Sequence, residues 1–242
     1  GFYDRLALVA FGGEARAGDR GPAAKGYELS VHDHIVLHLG RALNTVAAQI
    51  GNEIGVDKVT ALAHEFGVKS QLHNYPSITL GSDEVTLMDM TTGFGVLAKN
   101  GLQMNPYIIE EIRNSKGDLL YSNPVAAAPR IYPENLAADM NSMLTRVVVA
   151  GTGGAARIPG WDVAGKTGTS QDWRDAWFLG YTTKFVGGVW IGNDDDKPMA
   201  KITGGEMSAR IWGDMMKVAL KDIPPESLPG AKQPEEYLSS EA

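Results

Sequence analysis

The stretch AGKTGTS, residues 164–170, concentrates side chains suited to recognising an acid. Lys166 would supply a fixed positive charge for a carboxylate, or hold a neighbouring hydroxyl in an acid–base role. The hydroxyl of Thr167 would bind the same carboxylate. Gly168 has no side chain, so a peptide could pair there as an added strand, which would leave the Thr169 N–H free to point at a developing oxyanion. The glycine spacing and the ending differ from those of a Walker P-loop.

A second glycine-rich stretch, VVVAGTGGAARIPG at residues 147–160, fits the Gly-x-Gly-x-x-Ala spacing of dinucleotide-binding loops. Such loops need a helix directly after the glycines, because the helix N-terminus holds the pyrophosphate. Pro159 and Gly160 come too soon after Ala156 for that helix to fit. We therefore expect no nucleotide cofactor, and no cofactor of any other kind.

Histidines near the N-terminus raise the question of a metal site. His32 and His34 would share one side of a strand, and His34 and His38 one face of a helix. The sequence lacks a His-Glu-x-x-His pattern, and His64 and His73 are scattered. We expect surface histidines and no metal. A His-dependent metalloprotein stays open as the third hypothesis, and it predicts bound zinc that is lost on His34→Ala.

Composition limits the classes of partner. The chain has 242 residues, 43% hydrophobic and 21% charged, with a net charge of −7 and no cysteine. There is no basic run or stripe, so we expect no nucleic-acid partner. A cysteine nucleophile and thiolate zinc sites are excluded. The acidic run NDDDKP at residues 193–198 lacks the glycine and terminal glutamate of a calcium loop, and is predicted to be a solvated turn.

Hydrophobic periodicity predicts helices in the first half of the chain. Apolar residues from Ile35 to Ile54 recur at three- and four-residue steps, and Gly55 would end that helix. A second helix is predicted from Val56 to Gly67. A third helix would have Ser82 as its N-cap and Gly101 just past its end.

The second half of the chain predicts mainly strands. Further helices are expected over residues 133–149 and about 206–220. Residues predicted to form strands are 2–11, the two arms of a hairpin within 106–122, and 161–168, 175–183 and 184–194. Short turns separate the last three, so they should form an antiparallel meander. The fold class is therefore α+β.

Several segments, taken in order, carry a resemblance to a known family. They are RALNTVAAQIGNEIG, NYPSITLGSDEVTLMDMTTGFGVLAKNG, NSMLTRVVVAGTGGAA, AGKTGTSQDWRDAWFLGYTTKFVGGVWIGNDD and ITGGEMSARIW. Together they resemble the transpeptidase domain of penicillin-binding proteins, especially that of the bifunctional class A peptidoglycan synthases. The resemblance runs from about Val36 to about Leu220.

The resemblance implies the fold that these proteins share with serine β-lactamases, an antiparallel sheet covered by helices and facing a helical lobe. It also implies the reaction, acyl transfer from a D-Ala-D-Ala stem peptide through a serine ester, which β-lactams block. By resemblance, Lys166 and Asn44 are catalytic, with Asn44 hydrogen-bonding the substrate amide; Thr167 and Gly168 bind substrate, and Thr169 does both. Trp173 lies just beyond this motif and is expected either to line the substrate groove or to pack within the fold.

Two other family motifs are incomplete. The Ser-x-Asn motif falls on residues 42–44, where Asn44 is present but Ala42 replaces the serine, and a methyl group cannot relay a proton. No serine in the chain is followed three residues later by lysine, so the Ser-x-x-Lys nucleophile motif is missing. Either the domain is N-terminally incomplete here, or the protein is a catalytically inactive relative that binds peptidoglycan peptides or a partner protein.

The expected organisation is one partial transpeptidase domain over residues 1–222, of which residues 1–35 match the family poorly. Residues 223–242 are Pro-rich and acidic, and are expected to be a disordered tail. By resemblance the full-length protein acts in bacterial cell-wall synthesis at the periplasmic face of the inner membrane. We expect membrane attachment only through a segment that this chain does not contain.

Overall fold

The computed structural model describes residues 44–124 and 127–231, and residues 5–12 as backbone. Within these ranges the main sheet has four antiparallel strands in the order β1-β6-β5-β4. Their bounds are Arg5–Gly12 (β1), Ala164–Thr169 (β4), Asp175–Tyr181 (β5) and Phe185–Gly192 (β6). The predicted meander is confirmed, and so is the N-terminal strand, which pairs with β6.

Helices and a hairpin make up the rest of the described chain. The helices are Asn44–Ile54 (α1), Val56–Glu65 (α2), Leu87–Ala98 (α3), Glu134–Val149 (α4) and Ala209–Ala219 (α5). The hairpin strands are Glu111–Arg113 (β2) and Leu119–Ser122 (β3). Short helical turns span Pro76–Leu80, Gly154–Ala156, Gln171–Trp173 and Gly204–Ser208. These elements confirm an α+β fold.

Two predicted helix starts are wrong. The third predicted helix, α3, begins after Thr86, whose Oγ1 accepts a hydrogen bond from the Asp89 N–H at 3.0 Å. Ser82, the predicted N-cap, instead donates its hydroxyl to Ser77. The last helix, α5, begins at Ala209 because Gly204–Ser208 forms a wider π-helical turn.

The sheet buries apolar side chains on both faces. On one face Trp212 and Met216 of α5 pack against Phe178 and Val189, and all four are buried. On the opposite face lies a second cluster, formed by Leu97, Leu144, Ala164, Tyr181, Val186 and Leu228. Because successive side chains of a β-strand point to opposite faces of the sheet, the two faces of β4 and β5 lie in different surroundings.

The predicted disordered tail is wrong for residues 223–231. Leu228 is only 2% exposed, and its N–H donates to Asp162 Oδ2 at 3.2 Å. The Pro229 carbonyl accepts a hydrogen bond from Asn141 Nδ2 at 2.9 Å. The proline and acidic residues led to the prediction of disorder, but the buried Leu228, two hydrogen bonds and an ion pair between Glu226 and Lys184 attach the segment to the domain. Residues 232–242 lie outside the described residues.

Asn141 links that segment to the sheet, and its loss should destabilise the domain. Tyr181 Oη donates to Asn141 Oδ1 at 2.6 Å, and burial keeps the pKa of this tyrosine above its ordinary value. Asn141→Ala would leave the buried Tyr181 hydroxyl without its acceptor and would remove the hydrogen bond to the Pro229 carbonyl. We expect the free energy of unfolding to fall by about 2–4 kcal/mol, as measured by urea denaturation. Asn52→Ala, at an exposed position of α1, should change it little; equal losses in the two variants would contradict the account.

Candidate active site on an edge strand

Strand β4 lies at one end of the sheet in the described part of the chain. Just past it, the Ser170 N–H donates to the Asp175 carbonyl at 3.1 Å. In an antiparallel ladder such bonded pairs alternate with residues whose backbone groups point away from the partner strand. The N–H and C=O groups of Thr167 and Thr169 therefore face the outer edge, where an added strand could pair with them.

Lys166 brings a cation to this edge. Its Nζ donates to the outward-facing carbonyl of Thr167 at 3.0 Å. Burial lowers the pKa of the Lys166 amine from its ordinary value. Alternation along β4 places its side chain on the same face as Ala164, which belongs to the cluster under α3 and α4. A partly desolvated ammonium attracts an anion more strongly than one in water.

The hydroxyls of Thr167 and Thr169 each have a partner from outside the strand. Thr167 Oγ1 lies 2.7 Å from Thr152 Oγ1, in the loop after α4. Thr169 Oγ1 accepts a hydrogen bond from the Gly204 N–H at 3.1 Å. Two loops that are distant in sequence therefore meet at the strand. Neither partner was predicted from the sequence, although Thr152 and Gly204 lie in two of the segments that carry the family resemblance.

Glycines allow this close packing. A Cβ atom at Gly168 would lie 3.1 Å from Trp177 Cβ on the neighbouring strand. At Gly204 it would lie 2.1 Å from the Trp177 carbonyl oxygen and 2.4 Å from that of Gly168. Backbone atoms cannot give way as a flexible side chain does, so the turn at Gly204 must remain without a side chain. The sequence predicted that Gly168 allows the close approach of a substrate backbone. The structure shows in addition that Gly204, which packs on Gly168, has no room for a side chain.

Trp173 and Arg174 lie in the turn that follows β4. Asp172 and Trp173 both have positive φ, 60° and 54°, which is unusual for non-glycine residues. The Trp173 side chain is 38% exposed, and Lys201 Nζ lies 6.0 Å from its ring centroid. Arg174 makes an ion pair with Asp196 at 2.7 Å. Trp173 is thus held at the end of the strand and accessible; its place in a substrate groove stays a prediction.

Asn44 lies apart from β4 in the chain and opens α1, where it is exposed. The helix packs against the Pro76–Leu80 turn and α2. Its predicted role beside Lys166 stays a prediction, and Ala42 lies outside the described residues.

The alternative sites gain no support from the geometry. Gly154–Ala156 is a single turn of 3₁₀-helix, and Arg157 after it is extended, so no helix N-terminus is available for a pyrophosphate. Among the described residues no group of three or more histidine, cysteine, aspartate or glutamate side chains could hold a metal ion. His32, His34 and His38 lie outside them.

Two aspartates of the acidic run at residues 193–198 make ion pairs with basic side chains. Asp196 pairs with Arg174, and Asp195 Oδ2 lies 2.5 Å from Lys197 Nζ. A cavity of 770 Å³ lies elsewhere, lined by the end of α4, residues 157–163 and residues 225–227. Lys166, Thr167 and Thr169 do not line it.

Comparison with known proteins decides the family. The family model of the penicillin binding protein transpeptidase domain matches residues 38–217. The chain belongs to this family. Penicillin-binding protein 1A of Aquifex aeolicus is 32% identical over 214 residues, which are 84% of this chain and 29% of the relative. Penicillin-binding protein 1A of Neisseria lactamica is 35% identical over 188 residues, 75% of this chain and 24% of the relative.

Solved structures agree with the penicillin-binding protein fold. The penicillin-binding protein PonA1 of Mycobacterium tuberculosis superposes with a TM-score of 0.75 at 25% identity, covering 82% of this chain and 59% of that one. Penicillin-binding protein 1A of Haemophilus influenzae superposes with a TM-score of 0.70 at 25% identity, and the match covers 81% of this chain and 36% of that one. These matches confirm the predicted family and fold. The chain spans less than a third of the length of the curated penicillin-binding proteins named above.

Proposed function

We propose that this chain forms the peptide-binding part of a D,D-transpeptidase domain that cross-links peptidoglycan stem peptides by acyl transfer through a serine ester. The stem peptide, ending in D-Ala-D-Ala, lies along the outer edge of β4. Its terminal carboxylate meets the Lys166 ammonium and the hydroxyls of Thr167 and Thr169. β-Lactams occupy the same place, and the reaction uses no metal or cofactor.

The observation that carries this proposal is the arrangement at the outer edge of β4. The Lys166 ammonium lies 3.0 Å from the outward-facing carbonyl of Thr167, on a strand whose Thr167 and Thr169 N–H groups face the same edge and whose two threonine hydroxyls are held by Thr152 and by the Gly204 N–H. An extended peptide gains main-chain hydrogen bonds from such an edge, and its terminal carboxylate gains the cation. The Thr169 N–H points outward too, and would stabilise the oxyanion of the scissile carbonyl. Asn44 would hydrogen-bond the substrate amide, and Trp173 would border the groove.

The test is a comparison of two ligands that differ only at the terminus. The affinity of diacetyl-L-Lys-D-Ala-D-Ala is measured beside that of its C-terminal amide, by titration with ligand-observed NMR. We expect the acid to bind roughly tenfold to hundredfold more tightly, since hydrogen bonds to charged groups contribute about 1.5–3 kcal/mol each. Equal affinities for the acid and the amide would contradict the proposal.

A second candidate is a non-catalytic relative that binds stem peptides or a partner protein. The absence of Ser-x-x-Lys from these 242 residues favours it. A mass spectrum after incubation with penicillin V should show no adduct on this chain, because a serine in the family position is missing. An added mass equal to one β-lactam would identify another serine as the nucleophile and contradict this prediction.

The gene distinguishes the two candidates. If the coding sequence upstream of Gly1 contains Ser-x-x-Lys at the distance from Ala42 that is usual in the family, the enzymatic function is supported. The replacement of the Ser-x-Asn serine by Ala42 would then be the one serious departure from the family motifs. A start codon or unrelated sequence there would favour the non-catalytic binder.

A periplasmic location at the inner membrane is part of the proposal and rests on the family alone. Across the described part of the chain, none of the helices is both long and apolar enough to cross a bilayer.

A further inference from the structure

The hydroxyls of Thr167 and Thr169 on β4 can donate to an anion only if their protons point towards it, and their role in binding a carboxylate rests on the proposed function. A threonine hydroxyl has a single proton and two acceptor lone pairs. Thr167 therefore cannot donate to Thr152 and to a substrate carboxylate at the same time. The two oxygens lie 2.7 Å apart, so one of them is the donor to the other.

Thr169 shows how the neighbouring hydroxyl is arranged. Its oxygen accepts from the Gly204 N–H, a donor whose direction is fixed by the backbone. This leaves the single proton of Thr169 free to donate elsewhere. If Thr152 donates to Thr167 in the same way, then both protons on β4 are available to one anion beside the Lys166 ammonium.

The loop that carries Thr152 is held in place by the same turn that carries Gly204. A Cβ atom at the next residue, Gly205, would lie 2.4 Å from the Thr152 carbonyl oxygen and 3.7 Å from Thr167 Cγ2. The backbone of Thr152 thus packs closely on this glycine, and its hydroxyl is presented to Thr167 from a fixed position. The side chain is exposed, so the contact is not explained by filling the core.

We infer that Thr152 is a positioning residue for carboxylate recognition: it donates its proton to Thr167 and thereby turns the Thr167 proton towards the terminal carboxylate of the peptide. Thr152 itself does not touch the substrate. The Gly204 N–H performs the same task for Thr169. Selectivity for an acid over an amide then depends on a residue outside the Lys-Thr-Gly-Thr motif.

Two variants at one position separate this role from a structural one. Thr152→Val keeps the shape of the side chain and removes its hydroxyl, whereas Thr152→Ser keeps the hydroxyl. Affinities for diacetyl-L-Lys-D-Ala-D-Ala and for its amide are measured with both variants and with the unchanged chain, together with the melting temperature. Ser115→Ala, in the distant hairpin turn, serves as a control.

For Thr152→Val we expect the affinity for the acid to fall roughly tenfold, because Thr167 loses the donor that turns its proton towards the carboxylate. The affinity for the amide should stay within twofold of that of the unchanged chain. The melting temperature should stay within a few degrees of its value in the unchanged chain. Thr152→Ser should restore the acid preference. An unchanged acid preference in Thr152→Val, or equal losses for acid and amide, would overturn the inference alone. If the unchanged chain itself fails to prefer the acid, the proposed function fails as well.

Discussion

Replacing Lys166 with methionine is expected to remove the preference for a peptide acid over its amide while leaving the fold at least as stable at neutral pH. The ammonium is partly buried and donates to the outward-facing Thr167 carbonyl, so it is the cation that the proposed site offers an anion. Its loss should weaken binding of the acid roughly tenfold to hundredfold. Methionine fills a similar volume without the cost of burying a charge.

The pH dependence of this effect has a definite sign. Burial lowers the pKa of Lys166 below its ordinary value of 10.5, so between the two values the unfolded chain holds a proton that the folded chain has released. The contribution of Lys166 to the free energy of unfolding therefore rises with pH across that interval. Acid binding should fall over the same interval, because the ammonium that attracts the carboxylate is lost.

Peptide titrations and urea denaturation at several pH values check both statements. Lys217→Met removes an exposed lysine of α5 that pairs with Asp214 at the surface, and should change neither the acid preference nor its pH profile. Retention of the full acid preference in Lys166→Met would contradict the role of this residue.

Trp212→Ala should cost more stability than the other substitutions considered. The indole is completely buried, lies 5.3 Å from the Phe178 ring in an edge-on contact, and donates Nε1 to the Gly187 carbonyl at 3.0 Å. Truncation leaves a large cavity between α5 and the sheet and a buried carbonyl without its donor. Such changes cost about 3–5 kcal/mol, enough to unfold a domain of ordinary stability.

Urea denaturation monitored by circular dichroism measures this loss. Val218→Ala provides the matched control, since it shortens an apolar side chain of the same helix that is 77% exposed. It should alter the free energy of unfolding by about 0.5 kcal/mol or less. A loss for Trp212→Ala no larger than that of Val218→Ala would contradict the packing described for α5.

Local patterns predicted the elements that lie next to each other in the chain. The meander was predicted from three β-prone runs with short turns between them. An acid-binding site was predicted from the lysine, two threonines and glycine on its edge strand. The sequence pattern also predicted the position of α2, and it predicted the length of α4 to within one residue. These features depend on interactions within a few residues, which a sequence displays directly.

Contacts between distant segments were not predictable in the same way. Thr152 and Gly204 reach β4 from separate loops, and neither residue type by itself indicates such a contact. Leu228 lies in a proline-rich acidic segment, and its burial together with the hydrogen bonds to Asp162 and Asn141 shows that the segment packs on the domain. The cap at Thr86 was missed because Ser82, four residues earlier, is an equally good capping residue by type.

The most direct test of the central claim is to locate the bound peptide on the chain. ¹⁵N NMR spectra recorded during titration with diacetyl-L-Lys-D-Ala-D-Ala report each backbone amide. We predict the largest shifts at Thr167 and Thr169, whose amides face the outer edge of β4, and smaller ones at Leu179 on the next strand. Shifts confined to the cavity at residues 157–163 and 225–227, with β4 unchanged, would contradict the account.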